Sequence, residues 1–253
     1  MDSTTAIIAG SGFRDCFAGA AEGAAETRWG RASARPRRTI VGDAPFWVLR
    51  RHGEDHDIPA HAVNYRANVA LLKDLGARRV IALNTVGAIT DICAPGGIAV
   101  PAQLIDYTWG RAQTFFDGGA SGLSHLDFTA PFAPGLRGAL LDAACRGGVA
   151  CIDGGVYAVT QGPRLETAAE IDRLERDGAD YVGMTAMPEA ALAAELGIEY
   201  ACLALVVNAA AGRGAGSIHA QVEAAADRAE QAALTVLAAL GEGVCDGSFA
   251  ASQ

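Results

Sequence analysis

The sequence predicts a single α/β domain built on a mostly parallel central sheet. Three observations carry this. Short apolar runs alternate with segments of helical periodicity from end to end, the pattern of successive βα units. The runs themselves, such as "RRVIALNTVGAI" (78–89) and "EYACLALVVN" (199–208), are continuously apolar, as strands covered on both faces are. No Pro- or Ser-rich linker and no internal repeat interrupts the 253 residues, a length that fits one large domain or two small ones.

Taken in order, "AIIAGSGF" (6–13) reads as a strand and a Gly-rich turn, and "PFWVLRRHG" (45–53) as a strand ending in a basic pair. "VNYRANVALLKDLGA" (63–77) has helical periodicity, with Gly76 placed to terminate it. The strand at 78–89 runs into a small-residue loop, and "GGIAVPAQLIDY" (96–107) is one further strand. A helix follows at 133–148, then a strand and loop at 155–167, a helix at 168–179, and a strand, turn and helix at 180–197. The strand at 199–208 completes the core and the helix at 220–240 covers it. The domain is expected to span 1–242, with 243–253 a disordered tail of small and polar residues.

Composition excludes several classes. With 20 basic against 29 acidic residues, the chain lacks the basic face that nucleic-acid binding requires. An anionic substrate would need a local cluster of donors. The six cysteines form no CxxC pair and match no zinc spacing, so reduced, mostly buried thiols and no metal are expected. No signal peptide precedes "AIIAGSG" and no run reaches the length of a membrane span, so the chain is read as cytoplasmic.

Polar residues collect just beyond the strands, where α/β folds bind ligands. Gly10-Ser11-Gly12 can turn amides and a hydroxyl toward an anion, or be a plain turn. Arg51 offers a guanidinium fork beside His52, Asn84 and Thr85 follow one strand, and Met184 and Thr185 follow another. Glu166 lies beyond a Gly-Pro turn, and Asn208 ends the last apolar run. The glycine pattern is not the dinucleotide fingerprint GxGxxG, which excludes a nicotinamide oxidoreductase.

The segments "TRWGRAS", "RHG…VNYRAN", "GPRLETAAE" and "MTAMPEAALAAELG" resemble the trimeric purine nucleoside phosphorylase and methylthioadenosine phosphorylase family across roughly residues 5–240. Within it, the chain is most similar to the bacterial branch acting on S-methyl-5′-thioinosine. The resemblance implies a phosphorylase-type sheet partly closed into a barrel and flanked by helices, assembled as a homotrimer. It implies that Ser11, Arg51, His52, Asn84, Thr85 and Thr185 hold phosphate, a co-substrate in a reaction needing no cofactor. Met184 would pack on the ribose. His125, in the segment "SHLDF", would complete a neighbouring subunit's site.

The resemblance also makes Glu166 and Asn208 the base-reading and catalytic pair, with His52 beside them. An amide both donates and accepts, so Asn208 can donate to O6 of a 6-oxopurine and accept from N7–H. Glu166 can accept from N1–H and would repel the bare N1 of adenine. Family members acting on methylthioadenosine carry an Asp-x-Asp pattern in place of "NAA" and a Ser in place of Glu166. The implied reaction is phosphorolysis of a 6-oxopurine nucleoside, S-methyl-5′-thioinosine first, giving hypoxanthine and 5-methylthioribose 1-phosphate. His219, in "IHAQV", stands where members using ordinary nucleosides place a 5′-hydroxyl donor, so a general inosine and guanosine phosphorylase is the main rival. A hydrolytic nucleosidase and a non-catalytic nucleoside-binding protein are more distant rivals.

Overall fold

A computed structural model describes residues 5–13, 16–17, 19–118 and 122–245. Strand β1 (Thr5–Ala9) leads through a small hairpin, β2 (Glu26–Thr27) and β3 (Gly30–Arg31), to the pair β4 (Arg37–Val41) and β5 (Ala44–Arg50). Helix α1 (Tyr65–Asp74) precedes the long strand β6 (Arg79–Ala88), and β7 (Ile98–Val100), β8 (Gln103–Asp106) and α2 (Pro134–Arg146) follow. Then come β9 (Cys151–Asp153), β10 (Val156–Val159), α3 (Ala168–Arg176), β11 (Tyr181–Gly183), α4 (Ala186–Glu195), β12 (Glu199–Ala209) and α5 (Ile218–Cys245).

Ten strands form one mixed sheet, mostly parallel, with β6 and β12 side by side at its centre. One path runs β4-β5-β1-β6-β11-β10-β8, and β12 extends the other edge of β6 through β7 to β9. Among the described residues no ladder joins β8 to β9 to close this sheet into a complete barrel. Period-two alternation sends Ile7, Ile81, Leu203 and Leu205 to one face, against α2 and α5, and Ile8, Ala82, Cys202 and Ala204 to the other, with α1 and α4. Because both faces are covered, the central strands read as unbroken apolar runs.

Local chemistry sets the helix ends. The Asn64 side chain accepts from the Ala67 amide at the start of α1, and Gly76 takes φ +81° just after its end, a left-handed conformation that glycine adopts without strain. Thr167 and Glu170 form a reciprocal capping box on α3.

Several features differ from the sequence reading, among them β9 and the β2–β3 hairpin, for which no strand was expected. The strand expected at 96–107 is two strands, because Pro101 has no N–H to give a ladder; β7 pairs with β12 and β9, whereas β8 pairs with β10. The edge strand β4 has no apolar signature, since alternate residues face solvent. The last helix runs to Cys245, past the expected domain end at 242, and residues 246–253 lie outside the described residues. The thiols are less buried than expected: Cys93 and Cys202 are buried, Cys16 and Cys151 half-buried and Cys145 exposed, with no disulfide among these five.

Candidate active site

The site forms where one edge of β6 changes partner. β1 pairs with that edge only as far as Ala82, and β11 takes it up again, antiparallel, from Gly87. Strand residues between them offer backbone groups to whatever enters the gap. Loops after β1, β5 and β11 all lead to it, carrying Ser11, Arg51 with His52, and Met184 with Thr185, and Thr85 rises from β6 itself. They line a cavity of about 710 Å³ that also takes in Glu166, Asn208 and His219.

Arg51 is 1% exposed. Its Nη1 donates to the Leu83 carbonyl in the gap at 2.9 Å, while Nε and Nη2 donate to the two carboxylate oxygens of Glu189 at 2.5 and 2.9 Å. Tyr200 donates its hydroxyl to the same carboxylate at 3.0 Å. The fork read from sequence as open to phosphate is therefore occupied, and two of the five guanidinium N–H groups remain. Burial disfavours the Arg51 charge, but the Glu189 carboxylate outweighs it and holds the guanidinium pKa above its ordinary value. The buried pair is neutral as a unit.

His52 contributes no charge either. Its Nδ1 lies 2.8 Å from the Ile58 carbonyl, which only accepts, so Nδ1 carries the proton. Burial, with the Arg51 charge behind it, lowers the ring to a pKa of about 4, which keeps it neutral at physiological pH. Ser11 Oγ lies 3.2 Å from Nε2 of His56.

Asn84 and Thr85 are neighbours on a strand and so face opposite ways. Thr85 lines the cavity. Asn84 does not: fully buried, it donates Nδ2 to Thr185 Oγ1 at 2.7 Å and accepts from Cys202 Sγ at 3.1 Å through Oδ1. The phosphate role expected for Asn84 is thus corrected to one behind Thr185. By accepting from Asn84, the Thr185 hydroxyl keeps its own hydrogen to donate. His125 is exposed and lies off the cavity lining of its own chain.

A bulge delivers Asn208. The register of β12 on β6 shifts between Val206 and Asn208, so that Asn208 sits opposite Gly87. An extra residue of this kind re-aims the side chain after it. Gly87 supplies the room, because a Cβ there would lie 3.0 Å from Asn208 Nδ2. Asn208 is 9% exposed and spends one amide hydrogen on the Ala209 carbonyl at 2.8 Å, leaving the second hydrogen and Oδ1. Glu166 accepts from the Thr160 hydroxyl at 2.6 Å, which fixes one carboxylate oxygen. Met184 packs on Gly162, where a Cβ would come within 2.5 Å of its sulfur.

Two residues that build the site carried no sequence signal as partners. Glu189 is the last letter of "MTAMPE", a segment whose spacing assigns it no role. Arg111 lies in an irregular stretch and binds both loops that wall the cavity. Its Nη1 donates to the carbonyls of Met184 at 2.8 Å and Met187 at 2.5 Å, its Nη2 to that of Gln161 at 2.9 Å, and its Nε to the Gln161 side chain at 3.2 Å. A lysine cannot reach several divergent acceptors at once. Arg111→Lys is expected to lower kcat/KM by about 100-fold, the scale of a 1 Å misplacement of positioned groups, with the far-UV circular dichroism unchanged. Steady-state kinetics at near-normal activity would remove Arg111 from this role.

The family model described as "Phosphorylase superfamily" matches residues 4–241. The chain belongs to the phosphorylase superfamily. This member is 54% identical over 192 residues to a probable S-methyl-5′-thioinosine phosphorylase of Xylella fastidiosa, covering 76% of this chain and 77% of the relative. It is 40% identical over 243 residues to the 6-oxopurine nucleoside phosphorylase of Pyrococcus furiosus, covering 93% and 91% of the two chains. Among solved structures, it resembles methylthioadenosine phosphorylase from Schistosoma mansoni in complex with adenine, with a TM-score of 0.87, 30% identity, and 96% and 92% of the two chains covered.

Proposed function

We propose that this superfamily member is a 6-oxopurine nucleoside phosphorylase, with S-methyl-5′-thioinosine as its favoured substrate. The observation that carries the reading is the polarity of the cavity. Asn208 and Glu166 serve a planar base, and the hydroxyls of Ser11, Thr85 and Thr185 with the remaining Arg51 N–H groups serve an anion. The names of the Xylella and Pyrococcus relatives support the same activity.

In this reading the C1′–N9 bond breaks as a phosphate oxygen bonds to C1′. The purine leaves with the electron pair of the broken bond, takes a proton from solvent at N7, and donates N7–H to Asn208 Oδ1 and N1–H to Glu166. Met184 covers the sugar. The residues place the reactants and stabilise developing charge, with no covalent enzyme intermediate. Phosphate is the co-substrate, and no cofactor is required. The chain works as a cytoplasmic homotrimer in which His125 reaches a neighbouring site. No described helix is long and apolar enough to cross a membrane.

At the 5′ end, Ile218 and Val222 of α5 line the cavity, an apolar wall suited to a thioether. His219 beside them favours the second reading, a general inosine and guanosine phosphorylase. Rates for methylthioinosine, inosine, guanosine, adenosine and methylthioadenosine, each with and without phosphate, test both. Turnover should require phosphate and be fastest with methylthioinosine. Equal rates in phosphate-free buffer would establish hydrolysis instead, and no turnover on any substrate would leave a binding protein.

A further inference from the structure

The anion end of the cavity is rich in donors and poor in charge. Arg51 is neutralised by Glu189 at 2.5 and 2.9 Å, His52 is held neutral by its burial and the neighbouring Arg51 charge, and Ser11, Thr85 and Thr185 are hydroxyls. A phosphate dianion placed against such a set loses its hydration without gaining a counter-charge, which is costly. Among the described residues lining the cavity, the basic side chains besides Arg51 and His52 are His56 and His219. Of these, His56 is in contact with Ser11, Nε2 to Oγ at 3.2 Å.

The backbone adds a second observation. His56 takes φ +59°, and it is the one non-glycine residue with positive φ among those described. This left-handed conformation costs free energy for a residue bearing a Cβ, and such outliers gather at binding sites where the surrounding structure holds them. The loop from Arg51 to Asp57 folds so that the His56 and His52 rings lie 4.9 Å apart, centroid to centroid. His56 stands between Asp55 and Asp57 in the chain, with Glu54 one residue further, and shares the cavity lining with Arg51 and His52; Arg50 lies on the outer side of the same loop, and Glu230 of α5 approaches the turn at Gly12 beside Ser11.

We propose that His56 is a phosphate ligand of this enzyme: its ring exchanges Ser11 Oγ for a phosphate oxygen and supplies the positive charge that Arg51 and His52 withhold. Bond formation and cleavage are unaffected; His56 donates one hydrogen bond to a phosphate oxygen. The inference rests on the phosphorolysis reading above.

The left-handed backbone makes the test clean. Glycine occupies φ +59° without strain, and asparagine tolerates it better than most residues, so His56→Gly and His56→Asn remove the ring without stressing the fold. Melting temperatures should be unchanged or higher, confirming intact protein. The KM for inorganic phosphate should rise at least about tenfold in His56→Gly, the scale of one charge-assisted hydrogen bond. His56→Asn, which restores a neutral donor, should recover part of this, and the nucleoside KM should stay within about twofold. A phosphate KM unchanged in His56→Gly, with wild-type turnover still phosphate-dependent, overturns the role of His56 alone. Wild-type turnover independent of phosphate overturns the phosphorolysis reading instead.

Discussion

Asn208→Asp will abolish most activity toward 6-oxopurine nucleosides while leaving the protein folded. The side chain sits at the bulge of β12, 9% exposed, over Gly87, so an isosteric carboxylate fits the same space. What changes is the hydrogen-bond chemistry. Asparagine offers a donor to O6 and an acceptor to N7–H, whereas an ionised aspartate only accepts, and two acceptors then face each other in a largely buried pocket. A mismatch of this kind costs roughly 10²–10⁴-fold in kcat/KM. The adenine nucleosides gain, because the 6-amino group can donate to the new carboxylate. They gain only in part, since Glu166, held by Thr160 at 2.6 Å, still confronts the bare N1. The ratio of kcat/KM for methylthioinosine over methylthioadenosine is the measurement. A ratio unchanged from wild type would show that Asn208 does not read the base.

The second large effect is on stability. Glu189→Gln removes the counter-charge of a guanidinium that is 1% exposed. Breaking one side of a buried ion pair costs about 3–5 kcal/mol, and in a domain of this size each kcal/mol moves the melting temperature by about 2–4 °C. The variant should therefore melt roughly 6–20 °C below wild type. Inorganic phosphate should then stabilise the variant more than it stabilises wild type, because the freed Arg51 fork meets a dianion without competition from Glu189. Thermal melts of both proteins with and without phosphate check this. A variant that melts with wild type would mean the pair is not the anchor of Arg51, and an equal phosphate shift in both would place phosphate away from that guanidinium.

Much of the site was legible because strand-end position is a sequence property. Ser11, Arg51, Thr85, Thr185 and Asn208 were each found as the polar residue terminating an apolar run, and all five line one cavity. Asn84 was misplaced for the same reason. Adjacent strand residues point to opposite faces, and the sequence shows that "NT" must divide without showing which residue turns inward. Arg51 was found but its partner was not, because Glu189 lies 138 positions away and a contact that distant leaves no local pattern. Arg111 belongs to no helix or strand, so no periodicity marked it.

By itself, then, the sequence determined the elements, their order and the polar residues at their ends, since these follow from periodicity, turn chemistry and the short-range preferences of each residue type. It carried the family as well, through the spacing of "GPRLET" and "MTAMPE". The tertiary structure alone decided which donors are already spent. Charge at the anion end depends on Glu189 meeting Arg51 and on the burial of His52 beside that guanidinium. The aim of Asn208 depends on a bulge visible only in the register of β12 on β6. Hydrogen-bond satisfaction and net charge belong to groups that share a volume, and which groups share it is settled when distant segments pack, not when each is written in the chain.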